Sequence, residues 1–308
     1  MTRLSDSPPT AKRGGAFTPA ARAVAALGLN LAGNLAQWCS ALARPPRARI
    51  PAVREGAIIA VLLGLLATVA SMIFIDRATT DWAQHLPQDF RNVFDQVSNA
   101  GESGWLLVPF GCVVLVLAAL TAPELPRLTQ GVLGAVAARF GFLFLAIGAP
   151  SLFDTVLKRL IGRARPYVDF DGSPFTFVPF AWRSEFASLP SGHATTAGAA
   201  AFAIGAIWPR SRAVMWLYAL IIVFSRVVVM AHHPSDVIAG LVVGVVGAAW
   251  LRRLFAARRL VFSPHDLVVY PGPSRRRVGT ALRDALLALG SRPRTLAGGP
   301  IEPRRDAL

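Results

Sequence analysis

Long apolar runs are the feature that most constrains what this sequence can fold into. Six of them lie at about 57–75, 104–122, 134–157, 191–208, 213–230 and 236–256. Crossing the hydrocarbon core of a bilayer as a helix takes about 20 predominantly apolar residues, and a helix satisfies its backbone hydrogen bonds internally. The runs therefore predict an all-α fold, a six-span transmembrane helical bundle within residues 56–256.

Positive charge is concentrated at the two ends of the chain. Residues 1–55 carry eight basic and two acidic residues, and residues 252–308 carry twelve and four, which together supply 14 of the formal net charge of +15. Cytoplasmic segments of membrane proteins are enriched in Lys and Arg. We therefore expect a multi-pass protein of the bacterial inner membrane with both termini in the cytoplasm. There the termini would rest on anionic lipid headgroups rather than bind nucleic acid.

The two terminal regions are predicted to lie outside the bundle. Residues 1–55 read as a basic, partly disordered region in which 20–43 forms an amphipathic helix on the membrane surface, because Asn30, Asn34 and Gln37 interrupt it. Residues 257–308 read as a basic, mostly disordered cytoplasmic tail with one short amphipathic helix. No obligate protein partner is evident.

Three polar segments interrupt the apolar pattern and are predicted to share the outer membrane face. They are KRLIGRARP at 158–166, PSGH at 190–193 and SRVVVMAHHPSD at 225–236. Cations on an outer loop run against the cytoplasmic preference of Lys and Arg, so they need another reason to be there. The outer loop 158–190 holds five of them: Lys158, Arg159, Arg163, Arg165 and Arg183.

The residue types in these segments favour a doubly charged tetrahedral anion. Lys158 and Arg165 are seven residues apart, which is two turns of helix, so both can point the same way. Arg226 adds a guanidinium fork that matches phosphate oxygens. Ser191 and Gly192 would occupy the first turn of a helix, where free N–H groups and the helix dipole favour an anion.

Two histidines and one carboxylate supply groups for phosphoryl transfer. His232 and Asp236 are four residues apart, so the carboxylate can accept the Nδ1–H of His232 and leave Nε2 as a nucleophile. His193 can protonate a leaving oxygen. Each residue alone has a structural alternative, as a helix cap, a structural hydrogen bond or a cation that snorkels to the interface. Their joint occurrence near the bilayer favours a functional site.

The pattern Lys-x6-Arg-Pro, then Pro-Ser-Gly-His, then Ser-Arg-x5-His-x3-Asp resembles the type-2 phosphatidic-acid phosphatase superfamily, which also includes the vanadium haloperoxidases. The spans favour its membrane lipid phosphatase branch. The resemblance implies that His232 is the nucleophile that forms a phosphohistidine, His193 the general acid and Asp236 the orienting partner of His232. It implies that phosphate is bound by Lys158, Arg165, Ser191, Gly192 and Arg226. It also implies metal-independent catalysis without a cofactor, in agreement with the lack of a carboxylate cluster suited to Mg²⁺.

The sequence therefore predicts an integral membrane phosphatase, with a periplasmic active site, that hydrolyses a phosphomonoester or pyrophosphate of a membrane lipid. The candidate lipids are undecaprenyl pyrophosphate, phosphatidylglycerol phosphate, phosphatidic acid and the phosphate groups of lipid A. Two alternatives are a phosphotransferase that passes the phosphoryl group to an acceptor other than water, and a non-catalytic, transporter-like membrane protein. The aromatic residues of loop 167–187 would form a lip for the lipid at the interface or would simply pack over the helix ends.

Overall fold

The regular secondary structure of the protein is helical. The computed structural model describes residues 18–50, 52–168 and 173–291. Over these ranges the β-structure is limited to two isolated bridges, one joining Arg163 to Phe177 and one joining Phe262 to Val269, so the prediction of an all-α fold is confirmed. The α-helices of the described ranges are Pro19–Ala43 (α1), Glu55–Phe74 (α2), Asp76–Gln84 (α3), Gln88–Asn99 (α4), Gly104–Leu120 (α5), Arg127–Ile161 (α6), Gly192–Ile207 (α7), Arg212–Val228 (α8), Pro234–Ala257 (α9) and Arg275–Ser291 (α10).

Helix α7 forms the centre of the bundle and packs against α6, α8 and α9. It consists largely of Ala and Gly, and small side chains let neighbouring helices approach closely. The facing glycines of α9 do the same. An added Cβ at Gly240 would lie 2.5 Å from the carbonyl oxygen of Ser191, and one at Gly244 would overlap the carbonyl oxygen of Thr195. The backbones of α7 and α9 are therefore in contact, which holds the starts of the two helices side by side.

Five stretches of the described chain are long and apolar enough to cross a membrane. They are α2, the stretch Gln88–Leu120 that joins α4 to α5, α6, the stretch Pro209–Val228 that contains α8, and α9. Helix α2 exposes large apolar side chains such as Leu62, Leu63 and Leu66, which suits contact with lipid tails rather than water. The protein is a multi-pass membrane protein, as predicted.

The segment predicted as the fourth span, 191–208, forms the central helix α7. This helix has 16 residues and is mostly buried by its neighbours. At 1.5 Å per residue it is about 24 Å long, against about 30 Å for the hydrocarbon core of a bilayer. Its length alone does not make it a span, so the number of six spans and the assignment of the site to the outer face remain predictions.

Helix α1 occupies the segment predicted to be an amphipathic surface helix, and it packs against α5. Asn34 Nδ2 donates to the carbonyl oxygens of Ala118 at 2.9 Å and Thr121 at 2.7 Å. Asn30 Nδ2 donates to the carbonyl oxygen of Ala119 at 3.0 Å. The last carbonyls of a helix lack partners within that helix. The two asparagines that interrupt the apolar pattern therefore cap the end of α5.

The chain after α9 packs on the bundle as far as residue 291, which differs from the expectation of a mostly disordered tail. Arg139 Nη2 of α6 donates to the carbonyl oxygen of Tyr270 at 2.7 Å. Ala281 and Ala285 of α10 are buried, and α10 packs against α6. Arginines of the bundle thus satisfy carbonyls of the tail, and the small side chains of α10 allow close packing.

The described parts of the two terminal regions are in contact where α9 ends. The backbone N–H groups of Arg47 and Ala48 donate to the carbonyl oxygen of Ala257 at 2.9 and 3.0 Å. Residues 1–17 and 292–308, on which part of the predicted disorder falls, lie outside the described residues. The predicted domain limits at 55/56 and 256/257 remain predictions.

Candidate active site

The three predicted segments meet at the other end of the bundle, where α6 and α8 end and α7 and α9 begin. The backbone N–H of Ser191 donates to the carbonyl oxygen of Asp236 at 3.0 Å and joins the starts of α7 and α9. The N–H groups of Ala231 and His232 donate to the carbonyl oxygen of Arg226 at 3.1 and 3.2 Å. The chain between α8 and α9 therefore folds back tightly. This brings His232 next to the last turn of α8, where Arg226 lies.

Lys158 lies in the last turn of α6 with its ammonium beside the start of α7. An added Cβ at Gly192 would lie 2.9 Å from Lys158 Nζ, so the missing side chain lets the ammonium approach the backbone. Nζ is 2.6 Å from Oδ2 of the buried Asp154, whose Oδ1 accepts from Thr195 Oγ1 at 3.2 Å. Asp154 thus positions Lys158. The sequence analysis missed Asp154, although a carboxylate inside an apolar run is a signal of function.

Arg165 reaches this end of the bundle from a loop and not from the helix that carries Lys158. Helix α6 ends before Gly162, which takes the left-handed conformation with φ of 67° that glycine adopts without strain. The interpretation that Lys158 and Arg165 share one helix face is therefore wrong. The loop holds Arg165 instead, because its Nε donates to the carbonyl oxygen of Ser184 at 3.1 Å and its backbone N–H to that of Glu185 at 2.9 Å.

Two buried polar atoms of the site, Arg226 Nε and Ser191 Oγ, have no hydrogen-bond partner in the described part of the chain. The same guanidinium donates through Nη1 to Ser98 Oγ at 2.8 Å, at the end of α4. Most buried polar groups in proteins are hydrogen-bonded, because leaving one without a partner costs about 1–3 kcal/mol. Free donors on a cation and on a hydroxyl suit an anion with several oxygens.

His193, the second residue of α7, lies among the predicted phosphate-binding residues. An added Cβ at Gly101 would lie 3.0 Å from His193 Cδ2, so the turn between α4 and α5 closes over one side of the ring. Burial lowers the pKa of His193 to about 3, and the nearby groups Arg226, His232, Lys158 and Arg165 contribute to the lowering, so the ring is neutral at neutral pH before an anion binds. The structure therefore brings the two histidines and the three cations selected from the sequence to one place.

His232 is buried, with 3% of its surface exposed, and its Nδ1 lies 2.9 Å from the carbonyl oxygen of Ser188. Because a carbonyl oxygen only accepts, Nδ1 carries the proton and Nε2 keeps its lone pair. The nearest carboxylate oxygen of Asp236 is 3.8 Å from Nδ1, so Ser188 takes the hydrogen bond that was predicted for Asp236. Burial lowers the pKa of His232 to about 4, against an opposing effect of Asp236, so the ring is neutral at neutral pH.

Known proteins similar to this chain identify its family. The family model of the PAP2 superfamily matches residues 139–260. The lipid A 1-phosphatase of Rhizobium johnstonii is 34% identical over 194 residues, which are 62% of this chain and 76% of that protein. The chain belongs to the PAP2 superfamily. The lipid A 1-phosphatase of Rhizobium etli is a second relative of this PAP2 protein, 33% identical over 182 residues, which are 58% of this chain and 76% of that protein.

The PAP2 protein is also similar to a solved structure, the transmembrane PAP2 type phosphatidylglycerolphosphate phosphatase from Bacillus subtilis. The TM-score is 0.44 at 21% identity, over 63% of this chain and 93% of that chain. The family predicted from the three motifs is confirmed by the family model and the curated relatives. With its apolar helices and these relatives, the protein is a membrane lipid phosphatase, as predicted.

This PAP2 phosphatase also buries an ion-pair network behind His232 that the sequence analysis missed. Arg163, counted only among the outer-loop cations, is fully buried. Its Nη1 is 2.5 Å from Asp236 Oδ1 and its Nη2 is 2.8 Å from Asp76 Oδ2. Asp236 Oδ2 also accepts from Ser188 Oγ at 2.5 Å. With these donors in place, Asp236 acts on His232 as a nearby charge. The sequence signal that could have identified Asp76 was a carboxylate at the end of an apolar run.

His233, which the sequence analysis left out of the catalytic set, caps helix α9 in the PAP2 phosphatase. Its backbone N–H donates to Asp236 Oδ2 at 2.9 Å, and its Nδ1 lies 3.2 Å from Thr80 Oγ1. In the ranges that the structure describes, no group of three or more His, Cys, Asp or Glu side chains is arranged to hold a metal ion.

Proposed function

We propose that this PAP2 phosphatase hydrolyses the 1-phosphate of lipid A through a phosphohistidine on His232. Two relatives that are lipid A 1-phosphatases, each matched over 76% of its length, support this choice among the candidate lipids. Undecaprenyl pyrophosphate, phosphatidylglycerol phosphate and phosphatidic acid are the other substrates that the test below separates.

The observation that carries the proposal is the pair of unpartnered buried atoms, Arg226 Nε and Ser191 Oγ, beside Lys158 and two histidines. A phosphate group bound there supplies oxygens to both donors at once. Hydrogen bonds in which one partner is charged are shorter and about twice as strong as neutral ones. A phosphate would therefore satisfy groups that the protein alone leaves unsatisfied.

In the first step of the proposed reaction, Nε2 of His232 attacks phosphorus and the bond from phosphorus to the lipid oxygen breaks. The negative charge of the bound phosphate opposes the cations that lower the pKa of His193, so His193 takes up a proton from solvent when the lipid binds. His193 then donates this proton to the departing oxygen, so the lipid leaves with a free hydroxyl group. The phosphoryl group stays on His232 as a phosphohistidine. Lys158, Arg165 and Arg226 balance the negative charge on the phosphoryl oxygens.

In the second step, a water molecule attacks the phosphorus of the phosphohistidine. His193, neutral after the first step, accepts a proton from that water. The bond between phosphorus and His232 Nε2 breaks, inorganic phosphate is released, and both histidines return to their starting states. Neither step uses a metal ion, so we expect activity to persist in EDTA.

We propose that the lipid reaches the site sideways from the bilayer. The loop after α6 exposes Phe180 by 71% and Trp182 by 83%. A hydrogen bond of 2.7 Å from the N–H of Val178 to the carbonyl oxygen of Gly162 holds this loop on the end of α6. Aromatic residues favour the membrane interface. The loop, of which residues 169–172 lie outside the described residues, would form a lip over which the headgroup passes while the acyl chains stay in the membrane.

We also propose that the site faces the periplasm and that both terminal regions rest on anionic headgroups of the inner membrane in the cytoplasm. The described parts of the basic terminal regions lie at the end of the bundle opposite the site, which supports this orientation. In spheroplasts, a membrane-impermeant maleimide is expected to leave Cys39 unlabelled. It is expected to label Trp182→Cys in a protein whose Cys39 and Cys112 are replaced by serine. The reverse pattern would overturn the orientation.

The function is tested by phosphate release from the four lipid phosphates, with EDTA present, by the purified protein in detergent. We expect the wild type to prefer lipid A 1-phosphate. His232→Ala removes the nucleophile and should lower kcat about 1000-fold or more. His193→Ala should lower kcat about 100- to 10,000-fold, the usual contribution of a general acid.

His265→Ala is the matched control, because His265 is exposed at the opposite end of the bundle, and it should keep full activity. Equal activity in the wild type, His232→Ala and His193→Ala would overturn the mechanism. A preference for another lipid of the panel would leave the mechanism standing and overturn the assignment to lipid A.

A further inference from the structure

Arg163 is buried, and each of its three guanidinium nitrogens donates hydrogen bonds to acceptors within the protein. Its Nε and Nη2 donate to the carbonyl oxygen of Pro174 at 3.0 and 2.8 Å. Its Nη1 donates to Ser235 Oγ at 2.6 Å and to Asp236 Oδ1 at 2.5 Å, and Nη2 donates also to Asp76 Oδ2 at 2.8 Å. With these hydrogen bonds in place, Arg163 acts on the site through its partners and not by binding phosphate.

Asp76, at the start of α3, shares Arg163 with Asp236. Its Oδ1 accepts from the N–H of Ser235 at 2.9 Å and from Ser71 Oγ at 3.1 Å, and its Oδ2 accepts from Ser235 Oγ at 2.5 Å. The side chains of Asp76, Arg163 and Asp236 are all 0% exposed. Two carboxylates and one guanidinium leave this buried cluster with one excess negative charge.

The excess negative charge lies on the Nδ1 side of the His232 ring. Asp236 Oδ2 is 3.8 Å from His232 Nδ1, and Ser188 joins the two groups. The carbonyl oxygen of Ser188 accepts from His232 Nδ1, and Ser188 Oγ donates to Asp236 Oδ2. The N–H of Ser188 donates to the carbonyl oxygen of Arg163 at 3.1 Å. Ser188 therefore links the imidazole to both members of the ion pair.

His232 gains a positive charge when its Nε2 bonds to phosphorus while Nδ1 keeps its proton. In a buried, low-dielectric site, a fixed negative charge nearby stabilises that positive charge far more than it would in water. If Arg163 paired with Asp236 alone, the charges of the pair would cancel. Because Asp76 pairs with the same guanidinium, the cluster keeps a net negative charge beside the His232 ring.

We propose that Asp76 and Arg163 are positioning residues that hold Asp236 and set the charge facing His232 while it is phosphorylated. The proposal rests on the phosphohistidine mechanism above. Because neither side chain contacts the phosphate site, their loss acts on the reaction of bound lipid and not on its binding. The expected effect is a lower kcat at nearly unchanged KM.

The test measures kcat, KM and thermal unfolding of the full-length protein, with the lipid phosphate of the panel that the wild type hydrolyses fastest. Asp76→Asn keeps the size of the side chain and removes its charge. We expect kcat to fall about 10- to 100-fold, the range found when a residue that orients a metal-binding histidine is lost. A change confined to the reaction step should leave KM within about threefold of the wild-type value.

A double variant tests whether the two residues act together. Arg163→Gln alone leaves two uncompensated buried carboxylates, whereas Asp76→Asn with Arg163→Gln restores the net charge of the wild-type cluster. We therefore expect kcat and thermal stability of the double variant to exceed those of Arg163→Gln. Losses of kcat in the two single variants that simply multiply in the double variant would overturn the proposal.

Ser71→Ala is the matched control, because it removes one hydrogen bond to Asp76 and keeps the charge, and its kcat should stay close to the wild-type value. If Asp76→Asn does not fold, Arg163→Lys replaces it as a test of how Asp236 is held, since lysine keeps the charge but loses the planar fork that contacts both carboxylates. Wild-type kcat in whichever of these two variants folds would overturn the proposal. Full activity of His232→Ala would instead overturn the phosphohistidine mechanism on which the proposal rests.

Discussion

The two ends of the helical bundle are both rich in arginine, but they use it differently. At the end where the terminal regions lie, Arg139 donates to the carbonyl oxygen of Tyr270 and Arg252 to that of Leu267. The guanidinium of Arg252 also lies 5.4 Å from the centroid of the Phe262 ring. These arginines join the tail to the bundle, and their acceptors are neutral backbone carbonyls.

At the site end, Arg163 donates to two carboxylates, Asp76 and Asp236, and Arg226 Nε has no partner among the described residues. An arginine that donates to a backbone carbonyl links two parts of the fold. A carboxylate acceptor makes it part of a charge balance, and a missing acceptor leaves a donor for a ligand. In this protein the acceptor, and not the residue type, therefore distinguishes the arginines that join the tail to the bundle from those that we propose to act in the site.

Among the variants that compare the two ends of the bundle, the largest effect is expected for Arg226→Lys, with Arg252→Lys as its counterpart at the opposite end. Lysine lacks the guanidinium fork, so Arg226→Lys should lower kcat/KM about 100-fold or more, as the loss of one preorganised donor to developing charge does. Arg252→Lys should lower the unfolding temperature and leave kcat/KM unchanged. Phosphate release and thermal unfolding of both variants provide the measurement. Similar losses of activity in the two variants would remove the distinction between the ends.

Two serines three residues apart sharpen the comparison within the site. Ser191 Oγ lacks a partner, so Ser191→Ala should lower kcat/KM about ten- to hundredfold, the equivalent of about 1.5–3 kcal/mol for a hydrogen bond to a charged group, and should not reduce stability. Ser188 Oγ donates to Asp236, so Ser188→Ala should destabilise the fold by about 1–3 kcal/mol. Chemical unfolding combined with kinetics tests both. A stability loss in Ser191→Ala would argue that its hydroxyl serves the fold.

A smaller effect is expected from Gly192→Ala. The added Cβ would lie 2.9 Å from Lys158 Nζ and 3.2 Å from Asp154 Oδ2, and the flexible lysine tip is the part that can move. We expect KM to rise roughly tenfold, because one charge-assisted hydrogen bond weakens, with little change in stability. Gly104→Ala, where an added Cβ meets nothing within 4 Å, is the control. An unchanged KM in Gly192→Ala would place the ammonium away from the substrate.

The smallest effect on activity is expected at the opposite end. Asn34→Ala removes two hydrogen bonds to the end of α5 and should lower stability by about 1–3 kcal/mol while kcat and KM stay unchanged below the unfolding temperature. Gln37→Ala, at an exposed position of the same helix, should change neither quantity. Reduced turnover in a folded Asn34→Ala variant would show that α1 influences the site.

The helices and the cluster of site residues were predictable from the sequence for different reasons. An apolar run in lipid forms a helix because no water is present to satisfy the backbone, which is why α2, α5, α6, α8 and α9 appear where the runs lie. The cations and histidines were predictable because ionisable groups at span ends are costly and are seldom there without a role. The short central helix α7 is as apolar as a span, yet its surroundings in the bundle bury it.

The interpretations that proved wrong all concern which atoms a side chain contacts. The spacing of Lys158 and Arg165 suggested one helix face, but Gly162 ends the helix between them. Local spacing also suggested a direct hydrogen bond from His232 to Asp236, whereas the nearest acceptor is the carbonyl oxygen of Ser188, 44 residues away in the chain.

The sequence by itself determined that the chain is a helical membrane protein of the PAP2 superfamily, and it predicted which charged side chains and imidazoles lie together at one end of the bundle. Apolar runs and motif spacing act over a few helical turns, so they can be read directly. Only the tertiary structure decided the acceptors, because Asp76 and Arg163 are 87 residues apart and Ser98 and Arg226 are 128 apart. Which buried donors are filled and which are left for a ligand depends on how distant helix ends pack together.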